Sequence, residues 1–223
     1  MAKKLLELNV DFKEQSKLGD NGSFSLQPLE RGYGTTIGNA MRRVLLTSIP
    51  GAAITHVKID GVQHEFSTID GVKEDVADII MNLKKVRFKL MDSAPDKVTL
   101  SIKGKKSFTA QDIQNASDQF EVLNPGEYIT EVNSKGKLDI ELRIGIGKGY
   151  VPSEANDMPN LSVGTLSIDS IFNPVTNVTF NVQPVPGAKD PIEILSLHVT
   201  TDGSITAKDA VSYTATYLRE HFK

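Results

Sequence analysis

Two glycine-rich segments contain the residue types from which phosphate-binding loops are built. The first is GYGTTIG at residues 32–38, and the second is GIGKG at residues 145–149. A dinucleotide-binding loop needs the spacing G-x-G-x-x-G after a buried strand, whereas the first segment is one residue longer and follows an alternating strand. A P-loop needs Ser or Thr directly after its lysine, and here a glycine follows. The sequence therefore predicts a tight strand-to-helix turn at Gly32 and Gly34, and a surface loop at 145–149.

The other reactive side chains show no spacing that indicates catalysis or metal binding. The histidines lack H-x-x-x-H spacing and are expected at the surface or partly buried, and no G-x-S-x-G motif occurs. Glu74, Asp75 and Asp78 are predicted to lie on the solvated face of a helix. We therefore predict no catalytic residue, no metal site and no cofactor, while a nucleotide-dependent enzyme built on the turn at 32–38 stays open as the alternative. The four histidines are His56, His64, His198 and His221.

The composition is that of a folded protein without a generally basic surface. Of the 223 residues, 39% are hydrophobic and 24% are charged, which is enough apolar material for a core in one or two domains. The net charge of −3 argues against nucleic-acid binding by the whole surface. The sequence has no cysteine, no apolar run of about 20 residues and no signal-peptide core, so we expect a cytoplasmic protein that does not bind a membrane.

The helix that follows the turn at 32–34 has two sides that both suit a neighbour. It is predicted to run to about Ser48, before Pro50 and Gly51. Arginines in mid-helix are often only solvated, but the leucine among them favours an interface. We interpret the helix as an assembly element that packs partly on its own sheet and partly on a second copy. At 100° per residue, its apolar stripe consists of Tyr33, Ile37, Ala40, Met41, Val44 and Leu45. The opposite side consists of Asn39, Arg42, Arg43 and Leu46.

Alternating apolar residues predict an α+β protein in which strands outnumber helices. The strongest strand signal is 137–146, where every second residue is Leu or Ile. The turn NSKG at 133–136 predicts that this strand forms a hairpin with 128–132. The predicted strands are 5–12, 23–29, 53–59, 86–90, 97–103, 128–132, 137–146, 165–171, 176–182 and 192–200.

Two further amphipathic helices are predicted. One spans about Gly71 to Val86, with Asp70 as a plausible N-cap. The other begins at Thr206, whose hydroxyl can cap the helix while Asp209 reaches back three residues later. Both place apolar residues on one face at helical spacing.

The order of these elements predicts a discontinuous outer domain. The first and last parts of the chain each offer strands and one amphipathic helix, whereas a helix followed by many strands lies between them. We predict an α+β fold in which residues 1–51 and 175–223 form a dimerisation domain, an antiparallel sheet plus two amphipathic helices. Residues 52–174 form an inserted β-rich domain.

Several long motifs identify a family. The segment LQPLERGYGTTIGNAMRRVLLTSIPG at 26–51 is followed by IDGV at 59–62, HEFST at 64–68 and GVKED at 71–75. NLK at 82–84, GKGYVP at 147–152, ID at 168–169, NPV at 173–175 and TDGSI at 201–205 follow in the same order. The chain thus resembles, over nearly all 223 residues, the N-terminal domain of the bacterial RNA polymerase alpha subunit.

The resemblance implies a scaffold without an active site. In that family two copies dimerise through the first and last helices, and the dimer binds the beta and then the beta-prime subunit, with omega and sigma in the same complex. The catalytic centre belongs to the larger subunits, and no direct DNA binding is expected from this chain. The resemblance implies beta contacts at Asn39, Arg42, Arg43 and Leu46, and beta-prime contacts at Lys84 and Ile168. The dimer interface, inferred from helix geometry and family together, comprises Tyr33, Ile37, Val44, Val211, Leu218 and Phe222.

The chain departs from the family at a few positions. Tyr33 stands where the family often has Phe, and Lys148 replaces a usual Arg, which would lose any bidentate contact. The usual Arg-Val-Gly is missing around 185–187, and residues 104–125 match weakly. The family continues through a linker to a helical domain that binds promoter DNA, and the present sequence ends at Lys223; whether such a domain exists in the native protein is left open by the sequence.

Overall fold

A computed structural model describes residues 7–14, 19–90, 97–104, 106–156 and 161–223. Leu5, Leu6 and Leu18, which belong to the first predicted strand and turn, lie outside these ranges. The chain divides into two compact units. We call Met1–Ile49 with Asn173–Lys223 the outer unit, and Pro50–Phe172 the inner unit. The junctions lie two residues before the predicted domain boundaries.

Strands outnumber helices in both units, and the predicted α+β class is confirmed. The helices are α1 (Tyr33–Thr47), α2 (Val76–Leu83), α3 (Ala110–Gln114) and α4 (Ala207–His221), with a 3₁₀ turn at Ser153–Asn156. The strands are β1 (Asn9–Glu14), β2 (Asn21–Glu30), β3 (Pro50–Ile59), β4 (Phe88–Leu90), β5 (Val98–Lys103), β6 (Lys106–Thr109), β7 (Phe120–Val122), β8 (Tyr128–Val132), β9 (Lys137–Lys148), β10 (Tyr150–Val151), β11 (Thr165–Ser167), β12 (Ser170–Ile171), β13 (Val175–Pro184) and β14 (Ile192–Thr201).

The outer unit joins the two ends of the chain in one antiparallel sheet of order β1-β2-β14-β13. Strand β2 from the first segment pairs with β14 from the last. Helix α1 packs against β13 and β14, and α4 packs against α1, β2 and β14. Because side chains alternate along a strand, one face supplies the core and the other stays polar. The core contains Phe24, Met41, Leu45, Ile49, Val175, Val178, Leu197, Val199, Ala207 and Ala210.

The inner unit is built on a larger sheet of order β5-β9-β3-β4-β7, with β11 also paired to β3. Two small antiparallel ladders, β6-β8 and β10-β12, complete its strands. Helices α2 and α3 bury their apolar residues in the same core. Strand β9 pairs with both β3 and β5 and therefore lies inside the sheet, which fits its unbroken alternation.

The predicted start of the second helix is wrong by five residues. Helix α2 begins at Val76, and its N-cap is Asp75, whose carboxylate accepts a hydrogen bond from the Asp78 N–H at 2.8 Å. The preceding residues are extended toward β8 instead, because Gly71 adopts a left-handed φ of 79° and Val72 forms a bridge with Val132. Amphipathic spacing alone did not distinguish this extension from a helical turn.

The predicted hairpin between 128–132 and 137–146 is also wrong. Both strands exist, but β8 pairs with β6, whereas β9 pairs with β3 and β5. The turn between them packs against another backbone segment, since a Cβ added to Gly136 would lie 2.3 Å from the Gly71 carbonyl oxygen. The Asn133 N–H donates to that same oxygen at 2.8 Å. The turn therefore connects two sheets.

Residues 145–149 and 165–171 also differ from expectation. Gly145 and Gly147 belong to β9 and pair with β3, so they do not form a surface loop. A Cβ at Gly145 would lie 2.8 Å from the Thr55 methyl carbon, which explains a glycine in the strand. The predicted strand 165–171 is divided into β11 and β12. The elements α3, β6, β7 and β10 and the 3₁₀ turn at Ser153–Asn156 were not predicted.

Candidate functional site

The start of α1 is fixed by a carboxylate from the opposite end of the chain. Gly32 is the N-cap, with a left-handed φ of 89°. The N–H groups of Gly32 and Gly34 donate to the two carboxylate oxygens of Glu193, at 3.0 and 3.2 Å. A phosphate bound at this turn would need the same N–H groups, so the geometric basis for a nucleotide site is removed. Sequence reasoning missed Glu193, because it lies 161 residues away from Gly32.

Gly34 and Gly38 permit a close approach between α1 and the sheet. Gly34 was expected to relieve the turn, but it lies inside the helix and is buried. A Cβ added there would lie 2.6 Å from a Val182 methyl carbon, and one at Gly38 would lie 2.6 Å from the Phe180 ring. The predicted apolar stripe therefore separates into two adjacent stripes. The first packs on the sheet and consists of Gly34, Gly38, Met41 and Leu45.

The second stripe, which includes Ile37 and Ala40, faces an open groove of about 570 Å³ on the outer unit. The groove lies between α1 and α4, over strands of the sheet, and none of the described residues that line it is charged. Four of the predicted dimer residues line the groove: Ile37, Val211, Leu218 and Phe222. Tyr33 and Val44 do not line it, although Val44 is half-buried two turns after Ile37. The other lining residues are Val10, Phe24, Ser25, Leu26, Thr36, Ala40, Met41, Leu195, Leu197, Ser212 and Ala215.

Helix α4 forms the second wall of the groove. The predicted N-cap is confirmed, since the Asp209 N–H donates to the Thr206 hydroxyl at 3.1 Å. The Asp209 carboxylate accepts from that hydroxyl at 2.7 Å. The buried side of α4 carries small residues, Ala207, Ala210 and Thr214, which let it lie close to its neighbours. At the C-terminal end Phe222 is 81% exposed, so the groove ends in an uncovered aromatic ring.

The other side of α1 differs from the predicted patch in one residue. Asn39, Arg42 and Arg43 are exposed, and within the described residues neither arginine forms an ion pair. Leu46 is half-buried and packs against the outer unit's core. The exposed patch is therefore polar and basic, with Leu46 contributing only an edge.

In the inner unit, Lys84 is paired and Ile168 is buried. The Lys84 ammonium donates to the Asp169 carboxylate at 2.9 Å, and the other Asp169 oxygen accepts from the Ser153 N–H at 2.9 Å. The hydrogen bond from Lys84, followed by that from Ser153, holds the pKa of Asp169 below its usual value. Ile168 is only 3% exposed and lies in the core. The beta-prime contact expected at Ile168 stays a prediction, and the side chain of this residue fills the core beside Asp169.

A polar network holds the neighbouring 3₁₀ turn. The Asn156 carboxamide donates to the Ile168 carbonyl at 2.7 Å and to the Ser170 hydroxyl at 2.9 Å. The Ser170 hydroxyl donates to the Ile54 carbonyl at 2.8 Å. His56 was expected near the surface but is buried, with Nε2 2.7 Å from the Asn156 carbonyl oxygen. The turn and β12 are thereby tied to β3.

Glu74 is a bound carboxylate, which corrects its predicted solvated position. It accepts hydrogen bonds from the Tyr128 hydroxyl at 2.8 Å, the Thr130 hydroxyl at 2.7 Å and the Glu131 N–H at 3.1 Å. Burial acts to raise the pKa of Glu74, but these hydrogen bonds and Lys73 lower it below its ordinary value. Burial and the Glu74 carboxylate raise the pKa of Tyr128 to about 12. Glu74 therefore fixes the segment before α2 to β8.

Among the described residues, no group of three or more His, Asp or Glu side chains is arranged to hold a metal ion. In the same part of the chain, no helix has both the length and the apolar character needed to span a bilayer.

Comparison with known proteins identifies the family. Residues 57–173 match the family model described as the RNA polymerase Rpb3/RpoA insert domain. This chain is 50% identical over 213 residues to the DNA-directed RNA polymerase subunit alpha of Chlorobaculum tepidum, covering 95% of this chain and 65% of that protein. It is 52% identical over 213 residues to the subunit alpha of Prosthecochloris aestuarii, with the same coverage.

A third relative gives the same result. The subunit alpha of Chloroherpeton thalassium is 49% identical over 218 residues, covering 97% of this chain and 66% of that protein. The chain thus spans slightly less than two thirds of the length of these curated relatives. With its inner unit matched by the insert-domain model and nearly all of its length aligned to alpha subunits, the chain belongs to the bacterial RNA polymerase alpha-subunit family, in the region of its N-terminal domain.

Proposed function

We propose that this chain is a non-catalytic scaffold of bacterial DNA-dependent RNA polymerase. It homodimerises, binds the beta subunit and then the beta-prime subunit, and works in the cytoplasm in a complex that also contains omega and sigma. The nucleotidyl-transfer activity belongs to the complex, and this chain makes no direct contact with DNA. The observation that carries the proposal is the uncharged groove between α1 and α4.

The groove suits a second copy of the same chain. Its apolar walls are exposed on a folded unit, and large apolar patches on soluble proteins mark interaction sites. Since α1 and α4 both line the groove, a two-fold axis would place the same surfaces of both copies against each other. Ile37, Leu218 and Phe222 supply the apolar side chains for this contact.

The two sides of α1 permit two partners at once. The groove side faces the second copy, whereas Asn39, Arg42 and Arg43 remain exposed on the other side. Arginine is enriched at protein interfaces and can form paired hydrogen bonds with a carboxylate. We assign this patch to the beta subunit, with Leu46 as a minor contact.

Sedimentation equilibrium of Ile37→Glu tests the dimer. The substitution places a carboxylate in the groove, where the described lining residues offer no opposite charge to pair with it. We expect a folded monomer at micromolar concentration, where the wild type is a dimer. The matched control is Thr179→Glu, at an exposed position of β13, and it should stay dimeric. A folded Ile37→Glu dimer, or a monomeric wild type, would refute the proposal.

Co-expression with the beta subunit tests the second surface. Arg43→Ala should leave the dimer intact and weaken beta capture by about 2 kcal/mol, a typical loss for a central interface arginine. The control is Arg31→Ala, an exposed arginine that precedes α1. Equal capture of beta by wild type and Arg43→Ala would remove Arg43 from the contact.

A further inference from the structure

We propose that Lys84 supports beta-prime capture as a positioning residue, by holding through Asp169 the surface that carries Tyr150 and Ile171, without itself touching the partner. The inference rests on the proposed function, because it concerns how one residue serves the assembly step. It differs from the expectation of a direct contact. Four connected features of the inner unit support it.

The Lys84 side chain is committed to an internal partner. Its ammonium lies 2.9 Å from an Asp169 carboxylate oxygen, and the side chain is only 27% exposed. Its backbone is fixed as well, because Lys84 is the C-cap of α2 and its N–H donates to the Ile80 carbonyl at 3.0 Å. The Lys84 ammonium is therefore already paired within the inner unit and is poorly placed to pair with a second protein.

Asp169 transmits this restraint to the 3₁₀ turn. Its second carboxylate oxygen accepts the Ser153 N–H at 2.9 Å, so both oxygens are in use. Ser153 is the first residue of the turn and follows β10 by two positions. The neighbours Ile168 and Ser170 are buried, which fixes the backbone of Asp169 on both sides.

The ladder next to the turn is too short to hold its own conformation. Strands β10 and β12 form two residue pairs, Tyr150 with Ile171 and Val151 with Ser170, and the Phe172 N–H extends the ladder by donating to the Gly149 carbonyl at 2.9 Å. Isolated two-stranded ladders are marginal in water, so this one depends on bonds from outside. These bonds include the one from the Ser170 hydroxyl to the Ile54 carbonyl in β3, at 2.8 Å.

The ladder presents an apolar pair at the surface. Tyr150 is 62% exposed and Ile171 is 41% exposed, and the two are directly opposite each other. An aromatic ring beside an aliphatic side chain is typical of the anchors that dominate protein interfaces. Arg87 lies beside them and donates to the Ile171 carbonyl at 3.3 Å.

The direct-contact and positioning roles predict different double-mutant results. We would prepare the dimer of this chain in complex with the beta subunit and titrate the beta-prime subunit. Lys84→Met and Asp169→Asn should each weaken beta-prime binding about fivefold, the size expected for one partly exposed ion pair. The double variant should lose no more than either single variant, because both changes break the same pair. Lys84→Arg should restore most of the affinity.

The matched control is Lys85→Met. Lys85 has the same charge and lies next in sequence, but its exposed ammonium donates to the Asn82 side chain at 3.0 Å and, within the described part of the chain, to no carboxylate. It should leave beta-prime affinity unchanged. Hydrogen exchange on the isolated chain gives an independent readout. Lys84→Met and Asp169→Asn should both speed exchange at Ser153 and in the ladder, while Lys85→Met should not.

Two outcomes would overturn the inference. If Lys84→Met weakens binding while Asp169→Asn does not, or if the two losses add in the double variant, Lys84 contacts the partner directly. If exchange at Ser153 is unchanged in both variants, the proposed route through Asp169 does not exist. If the wild-type complex does not bind beta-prime at all, the proposed function is refuted instead. The hydrogen-exchange measurement on the isolated chain then still tests whether Lys84 restrains Ser153 through Asp169.

Discussion

The outer and inner units complete their cores to different extents. Among the described residues, the inner unit's core holds 25 buried hydrophobic residues, with four partly buried ones packed against them. The outer unit's core holds ten, with eight partly buried. The incompletely covered residues of the outer unit include Ile37, Val211 and Leu218, which line the groove. A unit that closes its core within one chain can serve as a rigid platform, whereas one with a half-covered core gains stability from a partner.

The largest loss of stability that tests this difference between the units is expected for Gly38→Val. The new side chain would begin 2.6 Å from the Phe180 ring, so α1 must move away from the sheet. Overpacking of this kind destabilises by about 3 kcal/mol. We expect amide protection to fall throughout the outer unit and to persist in the inner unit, measured by hydrogen exchange. The exposed neighbour Asn39→Val is the control. Equal loss of protection in both units would mean that they do not unfold separately.

The converse test is Glu74→Ala in the inner unit. The substitution leaves the buried Thr130 hydroxyl and the Glu131 N–H without their acceptor, a loss of about 2 kcal/mol. Glu74→Gln retains an acceptor oxygen and should lose less. Thermal unfolding followed by amide hydrogen exchange should show the loss of protection in the inner unit. A loss centred on α1 and α4 would contradict separate unfolding of the two units.

The same residue gives a pH dependence with a defined sign. Because the pKa of Glu74 is lowered in the folded protein, ionised Glu74 raises the free energy of unfolding. This stabilisation is fully present above the ordinary glutamate pKa of about 4.3. The contribution is lost as the pH falls through the lower folded value. The stability difference between wild type and Glu74→Ala should therefore be constant near neutrality and shrink below about pH 4. A difference that grows on acidification would refute the role of the carboxylate.

A smaller effect is expected for Glu193→Ala in the outer unit. The change removes the acceptor for the Gly32 and Gly34 N–H groups at the start of α1. Loss of a helix cap typically destabilises by about 1 kcal/mol. The rate of amide hydrogen exchange should rise first in the opening turn of α1. Glu193→Gln should raise this rate less than Glu193→Ala does. Unaltered exchange in that turn would show that the carboxylate does not act as a cap.

Much of this comparison could be predicted from sequence, and the failures share one cause. The alternation in β9 and the cap formed by Thr206 and Asp209 are local signals, and both predictions are confirmed. The cap formed by Glu193 and the separate pairing of β8 and β9 depend on residues far away in the chain. Helical periodicity likewise located the apolar stripe of α1. It did not reveal that glycines would face the sheet while Ile37 faces the groove.

The smallest expected effect is a gain of stability from Thr214→Val. Within the described residues, the buried Thr214 hydroxyl has no hydrogen-bond partner. A buried polar group without a partner is unfavourable, and an apolar group of the same shape should raise stability by about 0.5 kcal/mol. Chemical denaturation of the whole chain, followed by amide hydrogen exchange in the outer unit, measures the change. Thr179→Val is the exposed control. A clear destabilisation would mean that the hydroxyl has an acceptor in the folded protein.

The pairing of β2 with β14 has a consequence for synthesis on the ribosome. Asn21 and Thr200 hydrogen-bond to each other although 179 positions separate them. The amino-terminal strands and α1 are therefore translated long before their pairing strand, and the whole inserted unit emerges in between. Domains generally fold as units as they are made. The insert can thus be finished while the first segment still waits for β14, which is translated after the whole insert.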